Sequence, residues 1–194
     1  MKVDPELWVL VHDGLPDALD VEVIPDEVFE YLASVDHPIR VRTKVARRPD
    51  VPEHVWETLL EDPHDLVVNY AHSNPIAPPE FLREQWAEFA TIDSPLARNR
   101  LEAICTNPRV PADVQLAAVR LLRQHPHLIL VYGGELVHNK NLTTEAAQEL
   151  AKAPRYSGDQ PIRERLMDKL KQMSKGKLAA KKAAASKRRR GRER

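Results

Sequence analysis

The sequence is poor in cysteine, glycine and aromatic residues, and each shortage excludes a class of protein. Among 194 residues there is one cysteine, Cys105, which excludes an internal disulfide framework, a four-cysteine zinc site and a cluster held by several cysteines. Six glycines without a regular period exclude a collagen-like chain. No apolar run is long enough to span a membrane, and the first residues lack the apolar segment of a signal peptide. We therefore expect a cytoplasmic protein with no membrane partner.

The charge is balanced over the whole chain but not along it. The formal net charge is zero, from 29 Lys/Arg and 29 Asp/Glu. Residues 169–194 hold twelve of those bases and a single acid, a net charge of +11, so residues 1–168 carry −11. This division is typical of a folded body with an interaction tail. The chain is 42% hydrophobic, which is enough to bury a core.

Sixteen prolines divide the body into similar segments. A proline or threonine followed within two residues by an acid opens a segment at positions 25, 52, 78, 111 and 143, which are 27, 26, 33 and 32 residues apart. Two further marks alternate with the first. They are a capping residue beside proline, at Pro38, Pro63, Pro95 and Pro126, and a pair that ends a helix, at Arg48-Pro49, Asn74-Pro75, Asn107-Pro108 and, in degenerate form, Val137–Asn141. A repeat of this length predicts a solenoid.

Each segment is expected to form two helices. A capping side chain and a proline in the first turn favour one helix start, and the next proline ends that helix. An acid near the following proline favours the start of the second helix. Apolar residues recur at helical spacing, as in Val55, Leu59 and Leu60, and neither helix could bury this stripe without its neighbours.

We therefore predict an all-α fold of about five stacked helical repeats. An opening cap helix is expected at Glu6–Val11, where Trp8 would pack onto the first repeat. The predicted divisions are a repeat body at 1–153, a linker and amphipathic cap helix at 154–173, and a disordered basic tail at 174–194.

The segment Asp62–Leu82, with Asn74-Pro75 followed by Pro78-Pro79, resembles the leucine-rich repeat variant family. The likeness covers roughly residues 20–150 and implies a right-handed α-solenoid of alternating helices. The units here are longer than the family repeat, especially after Trp86, which suggests HEAT-like paired helices. Some family members carry an iron–sulfur cluster, which a single cysteine does not reproduce. We expect no cofactor.

One repeat position carries the residues that come nearest to a metal site: Ala46, His72, Cys105 and His138. Adjacent helical repeats lie about 10 Å apart, too far for one ion held at about 2 Å. We interpret the column as packing residues and predict no metal site. The sequence also lacks a phosphate-binding glycine loop and a nucleophile elbow, so no catalytic residue and no enzymatic activity are predicted.

Two groups of bases are candidates for binding anions. The first, called the α2 cluster below, consists of Arg40, Arg42, Lys44, Arg47 and Arg48. All of these except Arg42 share one helix face by their spacing. Such a face could hold phosphates, or it could be a solvated face paired with acids of neighbouring repeats such as Glu30 or Asp65.

The second group is the tail. Its bases are Lys175, Lys177, Lys181, Lys182, Lys187, Arg188, Arg189, Arg190, Arg192 and Arg194. Contacts to phosphates would release counterions and give salt-dependent binding without sequence preference. A solubilising end, docking on the acidic body and contact with an anionic membrane are the other interpretations. Alanines in the tail could let 177–187 become helical on a nucleic acid.

These observations predict a non-enzymatic binding module. Its repeat face would hold an unidentified protein partner, its tail would attach to DNA or RNA, and the chain would be a monomer or a dimer. One alternative is an enzyme resembling helical-repeat DNA glycosylases, with an acid and an aromatic ring such as Trp56 or Tyr70 beside the α2 cluster. Another is a purely protein-binding adaptor whose tail is inert.

Overall fold

A computed structural model describes residues 23–130, 132–155 and 157–190, with side chains in the last helix described as far as Lys177. These residues form ten α-helices and one 3₁₀ helix, with no strand among them, which confirms the all-α prediction. The predicted opening helix at Glu6–Val11 lies outside the described residues. The helices are α1 (Asp26–Ala33), α2 (Ile39–Arg47), α3 (Glu53–Leu60), α4 (Asp65–Ser73), α5 (Pro79–Phe89), α6 (Pro95–Thr106), α7 (Ala112–Gln124), the 3₁₀ helix (Pro126–Leu130), α8 (Tyr132–His138), α9 (Thr144–Ala151) and α10 (Gln160–Arg190).

The chain forms two compact units, Met1–Pro111 and Ala112–Arg194. In the first unit, α1 pairs with α2, α3 with α4 and α5 with α6. The second helix of each pair also packs on its counterpart, α2 on α4 and α4 on α6. Buried apolar residues at helical spacing, such as Val41 and Val45 in α2 and Val67 and Ala71 in α4, form the contacting stripes.

The proline marks lie at the starts and ends of these helices, but the predicted side-chain cap is not found at two starts: α2 begins after Pro38 without a side-chain cap, and α4 is capped by His64. The start of α6 follows the prediction. Ser94 caps α6 by accepting a hydrogen bond from the Ala97 N–H, and Pro95 occupies its first turn. Asn74 and Asn107, each followed by proline, end α4 and α6 in an extended conformation. A residue before proline is disfavoured in the helical region, so the helix stops there.

The two asparagines also join successive helix pairs within the first unit. The Asn74 side-chain amide donates to the carbonyls of Ala46 (2.7 Å) and Arg48 (2.8 Å) at the end of α2. Asn107 does the same for His72 (2.8 Å) and Asn74 (2.7 Å). Each amide oxygen accepts a backbone N–H two residues further along the chain. Buried carbonyls that a helix end leaves unpaired are thus satisfied by the next link.

The second unit packs α7 against α8, α9 and the 3₁₀ helix, and α10 against α8 and α9. Gly133 allows the 3₁₀ helix and α8 to meet closely, because a Cβ at this position would lie 2.6 Å from the Ile129 Cγ1 atom. Lys169 of α10 donates to the carbonyls of Val137 (2.8 Å) and Asn139. These carbonyls lie at the end of α8, as those of Ala46 and Arg48 lie at the end of α2. The Lys169 ammonium group therefore satisfies the carbonyls that an asparagine amide satisfies in the first unit.

Helix α10 differs from the sequence prediction of a cap helix followed by a disordered tail. It is continuous from Gln160 to Arg190, while residues 191–194 lie outside the described part. Its first half is anchored by the buried Leu166, so the costly first turn of helix is already formed. Alanine, lysine and arginine then extend a helix at little cost, and only Gly176 opposes it. No helix in the described ranges is both long and apolar enough to cross a membrane.

Candidate binding surface

Arg42 lies in the core of the first unit although it belongs to the α2 cluster. Its side chain is 6% exposed and forms a two-point ion pair with Asp62, at 2.6 Å from Nε and 3.1 Å from Nη2. Nη1 donates to the carbonyls of Val35 (3.3 Å) and His37. Asp62, 2% exposed, also accepts the His64 N–H. Most donors of this guanidinium are therefore used inside the protein, where they join the turn before α2 to the turn before α4.

Arg48 is also engaged, at the end of α2. Its guanidinium forms a two-point ion pair with Asp50, at 2.8 and 2.6 Å, and lies 5.9 Å from the centre of the Phe29 ring. The hydrogen bonds from Arg48 lower the pKa of Asp50. Arg48 occupies the link position that asparagine holds after α4 and α6.

Arg40 and Arg47 remain exposed on the surface of α2, with Lys44 partly exposed between them. The two arginines are seven residues apart, so they lie on one face about 10 Å from each other along the helix. The guanidinium carbon of Arg47 lies 5.0 Å from the centre of the Tyr70 ring, a cation–π contact across to α4. These three bases are what the structure leaves of the α2 cluster as a surface.

The acids expected to neutralise the cluster have other partners. Glu30 lies 2.8 Å from His54 Nε2, and Asp65 accepts from Arg100 of α6 at 3.2 Å. Glu30 and Asp65 therefore pair with other residues, and they do not neutralise the positive charge of Arg40 and Arg47.

A groove of about 350 Å³ runs between α4 and α6. Residues at the same helical spacing line both sides, which shows that each helix presents one face to it. The lining residues are Leu66, Asn69, Tyr70 and Ser73 on α4, and Asn99, Glu102, Ala103 and Thr106 on α6. Tyr70 lines the groove and also contacts Arg47 through its ring, so the bases of α2 lie at the edge of the groove. We call this combined surface the α2–α4–α6 face.

Arg100 fixes the two helices that form the groove. Its side chain is 7% exposed. Nη1 donates to the Asp65 carbonyl at 2.9 Å and to the Asn69 Oδ1 atom, and Nη2 donates to the Asp65 carboxylate. Burial lowers the pKa of Arg100, and the Asp65 charge opposes that shift. The groove is therefore held from below by a buried base.

The aromatic residues considered for an enzyme lie in different surroundings. Trp56 is 3% exposed, donates to the Ala71 carbonyl at 2.8 Å and packs edge-on against Phe81 with ring centres 5.1 Å apart. Tyr70 is partly exposed on the groove. Only Tyr70 of the two is accessible to a ligand.

His72 is a buried base without an acid in contact. It is 3% exposed, with Nδ1 2.8 Å from the Val68 carbonyl and Nε2 3.1 Å from Gln85 Oε1. Burial lowers the pKa of His72 below its ordinary value of 6.5, so the imidazole is neutral at pH 7. A neutral ring whose Nδ1–H donates to Val68 is a packing and hydrogen-bonding residue.

The column that contains His72 is shifted by one residue at its last member. Asn139 accepts the Asn141 N–H, as Asn74 and Asn107 accept theirs, so Asn139 and not Lys140 is the equivalent link residue. Val137 then takes the buried position of Ala46 and Cys105, and His138 is exposed, with Nε2 2.7 Å from Arg165 Nη1. The packing interpretation therefore applies with Val137 in place of His138. Within the described ranges, no group of three His, Cys, Asp or Glu side chains could hold a metal ion.

The bases of the tail are described in part. Lys175 and Lys177 are exposed on α10, and Lys181, Lys182, Lys187 and Arg188 to Arg190 belong to the same helix. Arg192 and Arg194 lie outside the described residues. The backbone thus places most of the predicted tail bases on one continuous helix rather than on an unfolded segment.

A cavity of about 580 Å³ lies in the second unit between the end of α9 and the start of α10. Its lining includes Arg163, which pairs with Asp159 at 2.6 Å, and Lys171, which pairs with Asp168 at 3.1 Å. These charges serve the turn and the helix surface, so the cavity offers less to a ligand than the α2–α4–α6 face.

Compared with known proteins, the chain matches no family model, no curated protein and no solved structure. The likeness to the leucine-rich repeat variant family therefore remains a prediction that depends on the proline and asparagine motif alone.

Sequence reasoning found the bases of α2 but missed the groove beside them. Tyr70 was singled out only as a ring for the enzyme alternative, and Asn69 and Asn99 were not singled out, because polar residues on a predicted helix usually indicate no more than a solvated face. A usable signal was present. Counting back one, four, five and eight positions from each link residue gives the groove-lining residues of α4 and α6 and their equivalents on α2, and all of these except Leu66 and Ala103 carry a polar side-chain atom.

Proposed function

We propose that the protein is a non-enzymatic helical-repeat module that binds a protein partner through its folded body and a nucleic acid through its basic C-terminal helix. The observation that carries this proposal is the separation of charge. The body has a net charge of −11, whereas residues 169–194 carry +11 on a segment that is helical as far as Arg190.

The repeat character is supported by the links within the first unit. Asn74 and Asn107 make the same pair of bonds to the preceding helix end, and α2, α4 and α6 pack in succession. Lys169 offers the equivalent bonds to the carbonyls after α8, as a terminal cap would. A right-handed solenoid of about five repeats is the arrangement we propose for these features.

Nucleic-acid binding by the tail is supported by the character of α10 beyond Leu166. Its described side chains at 174–177 are exposed, and the later positions are alanines and bases except for Leu178 and Ser186. A helix studded with bases can follow a phosphate backbone, and release of counterions would dominate its affinity. DNA and RNA are both acceptable to such a helix.

The tail is tested by mobility shift with duplex DNA and with RNA at several salt concentrations. One variant replaces the six bases Lys181, Lys182, Lys187, Arg188, Arg189 and Arg190 by glutamine, and is called the tail variant below. A control variant replaces the exposed bases Arg83, Arg120 and Lys140 by glutamine. We expect the tail variant alone to bind at least about tenfold more weakly, with a flatter dependence on salt. Equal binding by the wild type and the tail variant would refute this role.

The glycosylase-like alternative loses one of its two candidate rings, because Trp56 is buried and hydrogen-bonded in the core. In that alternative, the accessible Tyr70 ring would contact the nucleic acid as a binding residue. The adaptor with an inert tail predicts that partner capture is insensitive to salt and unchanged in the tail variant.

A further inference from the structure

We propose that the α2–α4–α6 face binds an acidic peptide segment of a protein partner. Carboxylates of the segment would pair with Arg40 and Arg47, and an apolar side chain would enter the groove between α4 and α6. This inference rests on the proposed function in that it assigns the protein-binding role to one surface and one class of ligand.

The arginines supply the first argument. Neither Arg40 nor Arg47 forms an ion pair among the described residues, and Arg47 is held against the Tyr70 ring. A side chain already fixed by a neighbour loses less conformational freedom on binding. Their separation of about 10 Å along α2 matches a polyproline II segment, which rises about 3.1 Å per residue with three residues per turn. Acids three residues apart on such a segment would face both arginines.

The groove supplies the second argument, because it is suited to a peptide. Leu66 is 44% exposed and, with Tyr70 and Ala103, gives the groove an apolar part. The Asn99 side chain is exposed and forms no hydrogen bond in the described part of the chain. An amide group both donates and accepts, as a peptide backbone requires. The volume of about 350 Å³ is within the range of small ligand pockets.

The charge distribution favours a peptide over a nucleic acid. The exposed bases of this face lie on α2, α4 contributes only uncharged residues to the groove, and α6 contributes the Glu102 carboxylate while its Arg100 is buried. A phosphate chain running across all three helices would meet this acid, whereas a peptide can place its few carboxylates on α2 alone. A single-stranded nucleic acid on this face is therefore an outcome that the test must detect.

The probe is a random peptide library displayed on phage, selected on the full-length protein that carries the tail substitutions. This background removes acidic peptides captured by the tail. The selection is repeated with Arg40→Glu/Arg47→Glu added, and with Arg83→Glu/Lys140→Glu as a control of equal charge change at exposed positions elsewhere. Thermal melting of each variant verifies that it is folded.

We expect the parent and the control to enrich peptides with two acids, most often three residues apart, next to an apolar residue. The Arg40→Glu/Arg47→Glu variant should lose this preference and bind an enriched peptide at least about tenfold more weakly in a fluorescence anisotropy titration. Ala103→Phe, which fills the groove, should weaken the same peptide while leaving the acid preference in place.

Two results would overturn the inference. One is an acid preference that is absent, or that persists in the Arg40→Glu/Arg47→Glu variant. The other is a single-stranded oligonucleotide that binds this face more tightly than any enriched peptide. Either result leaves the tail experiment unaffected, so the inference and the proposed function can fail separately.

Discussion

Helices α2 and α10 are both rich in bases, but the burial of these bases differs between the two helices. In α2, the buried Val41 and Val45 fix the face that packs on the core, so Arg42 is buried and the other bases of the helix are at least partly exposed. In α10, the apolar face is clear only as far as Leu170 and Met173. Beyond Met173 the described side chains are all exposed, so packing does not divide them into a buried and an exposed face.

Each helix nevertheless places at least one base against backbone carbonyls. Arg42 donates to Val35 and His37 and pairs with Asp62, and Lys169 donates to Val137 and Asn139. The comparison indicates that burial and available partners, rather than charge or spacing, decide whether a base stabilises the fold or is left for a ligand. Three experiments test this difference.

The largest effect is expected at Arg42. Replacing Arg42 by methionine leaves the Asp62 carboxylate buried without its partner, which should lower the free energy of unfolding by about 3–5 kcal/mol. The loss is measured by urea denaturation followed by circular dichroism. Arg47→Met, at an exposed position on the same helix, should cost less than about 1 kcal/mol.

The double variant Arg42→Met/Asp62→Leu separates the ion pair from its surroundings. It should recover a large part of the loss, because both charges are gone from the core. If Arg42→Met is as mild as Arg47→Met, the ion pair does not hold the first unit together.

The sequence predicted much of this architecture and little of the pairing within it. Proline and asparagine predicted helix starts and ends correctly at Ser94, Asn74 and Asn107, because these signals act on the adjacent backbone. The burial of Arg42 was not predictable, since its partner is twenty residues away and had been interpreted as a helix cap.

Two other features escaped for local reasons. The register after α8 was wrong by one residue because no proline follows Asn139 to mark the link, and the hydrogen bond from the Asn141 N–H identifies Asn139 as the equivalent of Asn74 and Asn107. The helix beyond Met173 was not predicted because the composition of the tail was considered without the packed helix that precedes it. A segment with too few apolar residues to fold by itself can still extend a helix whose first turns are packed.

A smaller effect is expected where the two units close a helix end differently. Lys169→Met removes both bonds to Val137 and Asn139 in a partly exposed place where water can replace the ammonium group, so the free energy of unfolding should fall by about 1–2 kcal/mol. The matched change in the first unit, Asn107→Leu, removes the bonds to the carbonyls of His72 and Asn74 in the core, where the Asn74 carbonyl keeps the Ala77 N–H at 3.1 Å.

That second change should cost more, about 2–4 kcal/mol, because Asn107 is fully buried and the Arg109 N–H also loses its acceptor. Both values come from urea denaturation of otherwise unaltered protein. Equal losses at the two sites would mean that the lysine is as deeply integrated as the asparagine, and that α10 is a structural element rather than a cap.

The smallest effect concerns His72, a buried base that the fold keeps neutral where it keeps Arg42 charged. Burial lowers the pKa of His72 below 6.5, outweighing the hydrogen bonds to Val68 and Gln85, while Arg100 lowers it further and Glu88 raises it. Between the lowered pKa and 6.5 the unfolded chain binds more protons than the folded one, so stability rises with pH across that window. Stability should therefore fall as the pH drops below about 6.5, with a slope from this group of at most about 1.4 kcal/mol per pH unit.

The contribution is isolated by comparing the wild type with His72→Gln, which keeps a polar side chain without a titrating group. Urea denaturation at pH 7.5 and at successively lower pH should show the stability difference between the two proteins shrinking, or reversing, as the pH falls. A difference between wild type and His72→Gln that stays constant with pH would mean that the imidazole is protonated with equal ease in the folded protein, and that burial without an acid does not suffice to neutralise a base in this fold.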